Sequence, residues 1–463
     1  MPVDRVPETK ADLAVIGFGK AGKTLAAALA KAGRRVVMIE QSDQMYGGTC
    51  INIGCVPTKT LVHQAEHPDL RLDADERYAH AAATTTTLVS LLRGKNFAML
   101  DTPGTATVVT GRASFLDPHT LVVAAGDDRL TVRAETIVVN TGAVPSLPSV
   151  PGLAASRHVV TSTGMLARTS RPRRLVVLGG GYVGVEFASM QAAFGVEVTL
   201  LQRNQRLLPD EDPDVSAEVE TLLTEAGVHV FTAVTATEVT DVDDLVQVAH
   251  TDRDGVASTV TGDLVLAAVG RRPATDGLGL QEVGIDMDAR GAVVVDEHLR
   301  TSLPHVFAVG DVNGGPQFTY VSLDDYRIVL DQLVGDGRRS TRDRVAVPHV
   351  VFTTPPLARV GMTETEALAT GRPIHVARRN VADMATVPRA RIVGDPRGTM
   401  KAVVDAETDA VLGVTILAHD AHETINTVAL AMRLGVPAAR LRDEIYTHPS
   451  MTEALNDLFA NLA

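Results

Sequence analysis

Two segments of the chain repeat one pattern, and that pattern fixes most of what can be built around it. Residues 11–40, "ADLAVIGFGKAGKTLAAALAKAGRRVVMIE", and residues 174–203, "RLVVLGGGYVGVEFASMQAAFGVEVTLLQR", share one reading. Each is a buried strand, a Gly-rich turn, an amphipathic helix and a second buried strand, which predicts a βαβ unit. Gly17, Gly19 and Gly22 form the first G-x-G-x-x-G, and Gly179, Gly181 and Gly184 the second. The first glycine permits the tight turn, the second lets backbone approach a pyrophosphate, and the third packs helix against strand. The helix N-terminus adds amide donors and a positive dipole. One such match is weak; two, each inside a complete frame, predict two dinucleotide sites.

The two units end differently. Glu40 closes the first, where a carboxylate would bind ribose hydroxyls. The equivalent place in the second holds Gln202, followed by Arg203 and Arg206. A missing carboxylate beside arginines favours a 2′-phosphate, hence NADPH, with NADH still possible; the same arginines would equally solvate a strand end. Beyond the second unit, "LVLAAVGRRPATD" and "HVFAVGDVNGG" read as buried strands ending in glycine and charge, as expected where backbone meets a ligand. From Pro348 onward, strand-like and helix-like runs predict a separate α+β domain.

Composition narrows the class. At 463 residues the chain is too long for one core, so two to four domains are expected. The net charge of −13 disfavours nucleic acid as a partner. The opening "MPVDRVPETK" has no apolar run, and no stretch is long enough to span a bilayer, so the expected location is cytoplasmic, with no membrane partner.

The chain's only cysteines, Cys50 and Cys55, fall together in "GGTCINIGCVPTKTL". In a reducing compartment such a pair is more often catalytic or metal-binding than structural. Cys50, Cys55, His63 and His67 spell C-x4-C-x7-H-x3-H. A structural zinc site normally separates its two halves further, so no metal is expected there. Thiol exchange needs an attacking thiolate, a resolving thiol and a proton source. The two cysteines supply the first two if they open a helix, whose N-terminus lowers a thiol pKa. Taken alone, Lys59 and Glu186 could be surface charges, and His448 a helix-entry residue before Pro449.

Seven motifs in order, "GFGKAG", "GGTCINIGCVPTK", "NTGAVP", "GGGYVGVEF", "AVGRRP", "AVGDV" and "THPSMTE", resemble the flavoprotein disulfide reductases of the pyridine nucleotide-disulfide oxidoreductase family. The resemblance implies an α/β chain with two Rossmann-like domains, for FAD and NAD(P)H, and a C-terminal α+β dimerisation domain. The implied segments are 1–152 (FAD), 153–275 (NAD(P)H), 276–345 (a central return to the FAD) and 346–463 (the interface). It places Gly17, Gly19, Gly22, Glu40, Gly48, Thr49, Lys59, Thr141, Gly142, Gly310 and Asp311 around FAD. Gly179, Gly181, Gly184, Glu186, Arg203, Arg206 and Gly270 would surround the pyridine nucleotide. It implies a Cys50–Cys55 redox disulfide with Cys55 on the flavin side and Cys50 meeting substrate. Lys59 and Glu186 would pair beside the flavin. His448, oriented by Glu453, would reach the partner's cysteines across a homodimer.

Within that family, "CINIGCVPTKTLVH", "RGKNFAML" (residues 93–100) and "GDVNGGPQFTYVSLDDYRIV" (residues 310–329) resemble the RclA-type reactive-chlorine-resistance reductases, also described as hypothiocyanous acid reductases. Mercuric and large thioredoxin reductases need a C-terminal cysteine pair, which "NDLFANLA" lacks. Mycothione reductase shares "PTK", so mycothione or glutathione reduction stays as a rival, and cupric reduction as a secondary activity. The expected substrate is a small oxidant, most of all hypothiocyanous acid.

Overall fold

The computed structural model describes residues 8–100 and 104–462. Residues 1–7, on which part of the no-leader expectation rests, lie outside the described residues. The first βαβ unit is the strand Glu8–Ile16, the helix Lys20–Lys31 and the strand Val36–Glu40. Its strands pair in parallel, Leu13 opposite Val36 and Ile16 opposite Ile39. Ala106–Thr110 extends the sheet on one side, and Asp128–Val139 on the other. Strand Val306–Ala308 returns from far along the chain and pairs in parallel with Ile137–Val139. These strands are apolar on both faces, as a sheet covered on both sides requires.

The second unit, Arg174–Leu178, Tyr182–Ala193 and Glu197–Leu201, is built alike within a five-stranded parallel sheet. The likeness extends to single hydrogen bonds. Gly17 N–H donates to Ile39 O at 2.8 Å, and Gly179 N–H to Leu201 O at 2.9 Å. Asn140 N–H donates to Ile16 O, and Ala268 N–H to Leu178 O, each at 2.8 Å. In each unit the neighbouring strand therefore ends against the glycine turn, leaving a crevice at the strands' carboxyl ends.

The C-terminal part has a five-stranded antiparallel sheet with Ala421–Arg433 packed on it. Its core is separate and includes Val360, Ala402, Val414, Val428 and Leu458. The strands Thr399–Asp405 and Val411–Leu417, and the helices Ala421–Arg433 and Ala454–Ala460, fall in the regions predicted from sequence. Among the described residues no helix is long and apolar enough to cross a membrane.

Candidate active site

The first glycine turn meets the cysteine segment head-on. Gly48 has φ +76°, and a Cβ there would lie 2.6 Å from Gly19 Cα, so neither position has room for a side chain. Asn140 braces the same turn, its Nδ2 donating to Gly17 O at 2.8 Å. Gly22 is equally confined, since a Cβ would lie 2.6 Å from Val15 Cγ1. A Cβ on Gly142 would lie 4.0 Å from Thr49 Oγ1, and one on Gly310 3.5 Å from Asn140 Oδ1, so both glycines border the same turn, with Asp311 next in the chain. Thr141 Oγ1 is buried without a hydrogen-bond partner among the described residues. Gly310 N–H is anchored on Asp325 Oδ2 at 2.6 Å. Burial pushes the Asp311 carboxyl above its usual pKa, against the opposing charge of Arg271. A glycine-lined crevice with an orphaned hydroxyl suits a polar dinucleotide, so these residues fit the flavin group.

The second crevice is open where the first is closed. Gly184 is tightly packed, since a Cβ would lie 1.8 Å from Gly179 O. Gly181 and Gly270, by contrast, face open space in which a Cβ would meet nothing within 4 Å. That is room for a phosphate to approach backbone, so these residues fit a pyridine nucleotide.

The ends of the two units use one hydrogen bond in two ways. Glu40 Oε2 accepts from Phe18 N–H at 2.9 Å, and Gln202 Oε1 accepts from Gly180 N–H at 3.1 Å. Each acceptor stands 22 residues after its donor. Gln202 then donates from Nε2 to Arg206 O at 3.1 Å, fixing the loop that carries Arg203 and Arg206. Arg203 is exposed, and Arg206 donates to Pro209 O. Burial raises the Glu40 pKa, opposed by the backbone amides it accepts from.

Only one cysteine opens a helix, which corrects the expectation for the pair. Cys55 heads the twelve-residue helix Cys55–Glu66, whereas Cys50 lies inside the short helix Gly48–Asn52. The chain must turn between them at Gly54, where a Cβ would lie 2.9 Å from Thr49 O. Cys50 is half-buried and Cys55 exposed. The Cys50 thiol hydrogen-bonds to Cys55, which is the main reason the Cys55 pKa falls to about 6. Thr319 Oγ1, at 3.7 Å from Cys55 Sγ, and the Lys59 ammonium lower it further. The same hydrogen bond, with burial, pushes Cys50 strongly upward. Ionisation is therefore favoured at Cys55 over Cys50.

Lys59 follows one turn later and meets Glu186, from the helix after the second glycine turn. Its Nζ donates to both carboxylate oxygens, at 2.9 and 2.8 Å. Glu186 also accepts from Phe352 N–H at 2.8 Å, and Lys59 stands 4.6 Å from the Phe352 ring centroid. The pair thus joins the cysteine helix, the second unit and the C-terminal part.

His448 and Glu453 lie together but away from the thiols' own hydrogen bonds. His448 Nδ1 is 2.8 Å from Glu453 Oε2, while Ser450 N–H donates to Oε1 at 3.0 Å. The carboxylate is nearly buried at 14% exposed, and the imidazole is open at 64%. An acceptor at Nδ1 holds the proton there, which leaves Nε2 of the neutral ring as an outward-facing base.

The rival metal reading has no geometric support. His67 falls past the helix end, and its Nδ1 pairs with His63 O at 3.0 Å. Among the described residues no group of three or more potential metal ligands assembles.

Residues 11–325 match the pyridine nucleotide-disulphide oxidoreductase family, and residues 347–459 match its dimerisation domain. The chain belongs to this family. The reductase is 47% identical to the RclA pyridine nucleotide-disulfide oxidoreductase of Escherichia coli (strain K12), over 96% of this chain and 98% of that one. It is 34% identical to a mercuric reductase of Lysinibacillus sphaericus, over 97% of this chain and 82% of the other. Among solved structures it resembles the Cu(II) complex of the HOCl-induced flavoprotein disulfide reductase RclA from E. coli. The TM-score is 0.92 at 47% identity, covering 98% and 99% of the two chains. The reductase is accordingly an oxidoreductase of a flavin-dependent, pyridine-nucleotide-using family, and its dimerisation domain indicates a homodimer.

Several residues of the reductase's site were not singled out from sequence. Thr319 lies inside the "GPQFTYVSL" stretch that marks the subgroup, and it touches Cys55 across 264 residues of chain. Around it gather Tyr182, Phe318, Tyr320 and His349, with Phe318 and Tyr320 stacked at 5.2 Å. In a chain only 3% aromatic, Phe318 and Tyr320 flanking Thr319 were the local signal, while the rest of the cluster forms only on folding.

Proposed function

We propose that the reductase uses Cys50 and Cys55 to reduce a small reactive oxidant, most of all hypothiocyanous acid, at the expense of NADPH. The observation that carries this reading is geometric: Cys50 and Cys55 lie together at an accessible site, with Thr319 Oγ1 3.7 Å from Cys55 Sγ and the Lys59–Glu186 pair one helical turn on. Bound in the two crevices, FAD and the pyridine nucleotide supply the two electrons that return the disulfide to dithiol. Glu40 and Asp311 would hold the flavin's ribose and ribityl ends, and Arg203 and Arg206 the 2′-phosphate.

Once the Cys50 proton is taken up, Cys50 Sγ attacks the sulfur of hypothiocyanous acid. An S–S bond forms, the S–O bond breaks, and hydroxide leaves as water after protonation. Cys55 thiolate then attacks Cys50 Sγ and expels thiocyanate, forming the Cys50–Cys55 disulfide. Two electrons leave the thiols and two enter the oxidant. His448 Nε2, contributed by the second subunit and oriented by Glu453, takes the Cys50 proton and delivers it to the leaving hydroxide. Lys59, held by Glu186, keeps a positive charge beside Cys55 so that the resolving thiol stays ionised. A cytoplasmic site of action suits a protein that depends on this nucleotide.

Cupric ion is a second substrate, supported by the copper complex of the E. coli protein. Soft sulfur donors suit copper, and two donors alone suit its passage and reduction better than storage. The test of the main reading is mass spectrometry of Cys55→Ser after hypothiocyanous acid. A thiocyanate adduct on Cys50 is expected, and an unmodified Cys50 would overturn the order of attack.

A further inference from the structure

Lys23 is a buried lysine without a carboxylate. It sits one residue past Gly22 on the helix Lys20–Lys31 and is 3% exposed. Among the described residues it forms no ion pair; its Nζ donates only to Gly47 O, at 3.2 Å, and to Asn96 Oδ1. Both acceptors are neutral, so the charge of the ammonium is not cancelled. A buried cation of this kind is costly, and its field reaches neighbours with little screening.

The neighbours are the redox segment. Gly47 caps the short helix that carries Cys50. Asn96 belongs to the residue 93–100 stretch, which otherwise has no part in the chemistry. That stretch grips the segment throughout. Arg93 Nε donates to Asn52 Oδ1 at 2.8 Å, and Phe97 stacks on Tyr46 at 4.9 Å. Asn52 in turn donates to Tyr46 O and Gly48 O. The groups whose charge acts on Lys23 are Lys20, which repels it, and Cys50, which attracts it when ionised.

We propose that Lys23 is a positioning residue for the substrate-facing thiol: clamped by Gly47 and Asn96, its buried ammonium fixes the Gly47–Cys50 turn and stabilises negative charge on Cys50 Sγ. The inference rests on Cys50 being the thiol that meets substrate. Cys50 needs such help, because its hydrogen bond to Cys55 and its burial both work against ionisation, and Lys23 opposes them. Burial and Lys20 hold the Lys23 pKa down to about 8, so the ammonium form still predominates at neutral pH and is lost above that value.

The experiment is alkylation of the dithiol holoenzyme by iodoacetamide across pH, with the modified cysteine identified by peptide mapping. In the holoenzyme the flavin would cover Cys55, so in the wild type Cys50 is the modified residue despite the lower pKa of Cys55. In Lys23→Met its rate at pH 7 falls by at least about threefold and its pH profile moves upward. Lys23→Arg restores both. Asn96→Asp, which cancels the cation without removing it, slows Cys50 as Lys23→Met does; it decides the matter if the methionine variant loses its flavin. An unchanged Cys50 profile in flavin-replete Lys23→Met and Asn96→Asp overturns the role of Lys23 alone. Modification of Cys55 in place of Cys50 in the wild type overturns the assignment of Cys50, and this proposal with it.

Discussion

Thr319 Oγ1 lies 3.7 Å from Cys55 Sγ. The hydroxyl comes from the N-terminus of the helix Thr319–Val334, and the thiol from the N-terminus of Cys55–Glu66. Two helix ends therefore converge on one sulfur, and each favours its ionised form.

Removing that hydroxyl gives the first test. Thr319→Val is expected to raise the Cys55 pKa by about 1 unit, the usual scale of a hydrogen bond to a charged group at a partly wet site. The thiolate is present above about pH 6 and is lost as pH falls through that value. The variant should therefore lose most activity near pH 6 and little near pH 8. Titration of the ultraviolet thiolate absorbance measures the shift; an unmoved titration would remove Thr319 from the account.

Lys59 and Glu186 act on Cys55 with opposite signs, the ammonium lowering its pKa and the carboxylate raising it. Lys59→Met is thus expected to move the Cys55 titration upward, and Glu186→Gln downward, by about 0.5–1 unit each. Both should reduce turnover, about tenfold or more, because each breaks the bidentate bridge between the cysteine helix and the second unit. Shifts of the same sign in the two variants would show that the pair acts only as a strut.

On the proposed NADPH preference, nucleotide choice would turn on Gln202. Glu at this place would still accept the Gly180 amide, but it could not donate to Arg206 O, and it would repel a 2′-phosphate. Gln202→Glu should lower kcat/KM for NADPH and raise it for NADH, moving their ratio by about tenfold or more. Steady-state kinetics with both nucleotides checks this, and an unchanged ratio would place the determinant elsewhere.

The exposed His448 ring and its mostly covered Glu453 invite a complementation test. Cys50→Ser and His448→Gln are each expected to be nearly inactive. In a shared active site, subunits mixed after denaturation and refolding should regain about a quarter of wild-type activity, since half the dimers carry one intact site of two. No recovery in properly re-formed mixed dimers would put the base within a single subunit.

What the sequence made legible were positions where backbone geometry dictates the residue. Gly48 and Gly19 must lack side chains because their backbones nearly touch, and Gly184 because a carbonyl stands where Cβ would be. Such constraints recur as motifs and can be read without coordinates. Lys23, Thr319 and Asn96 were not legible, because what they do depends on neighbours far away in the chain. Lys23 and Asn96 are 73 residues apart, and Thr319 and Cys55 are 264 apart. A lysine in a helix reads as a solvated charge until packing shows it buried. The helix-opening expectation failed for Cys50 for a similar local reason, since Gly54 splits the segment into two helices and only the second begins at a thiol.

On the proposed function, Cys50 meets a small oxidant directly. The most direct measurement is NADPH oxidation by the purified holoenzyme with hypothiocyanous acid, mycothiol disulfide, glutathione disulfide and cupric ion, in wild type and Cys50→Ser. The highest kcat/KM is expected with hypothiocyanous acid, and its loss by at least about a thousandfold in Cys50→Ser. A preference for either bulky disulfide, or hypothiocyanous acid reduction that survives in Cys50→Ser, would contradict it.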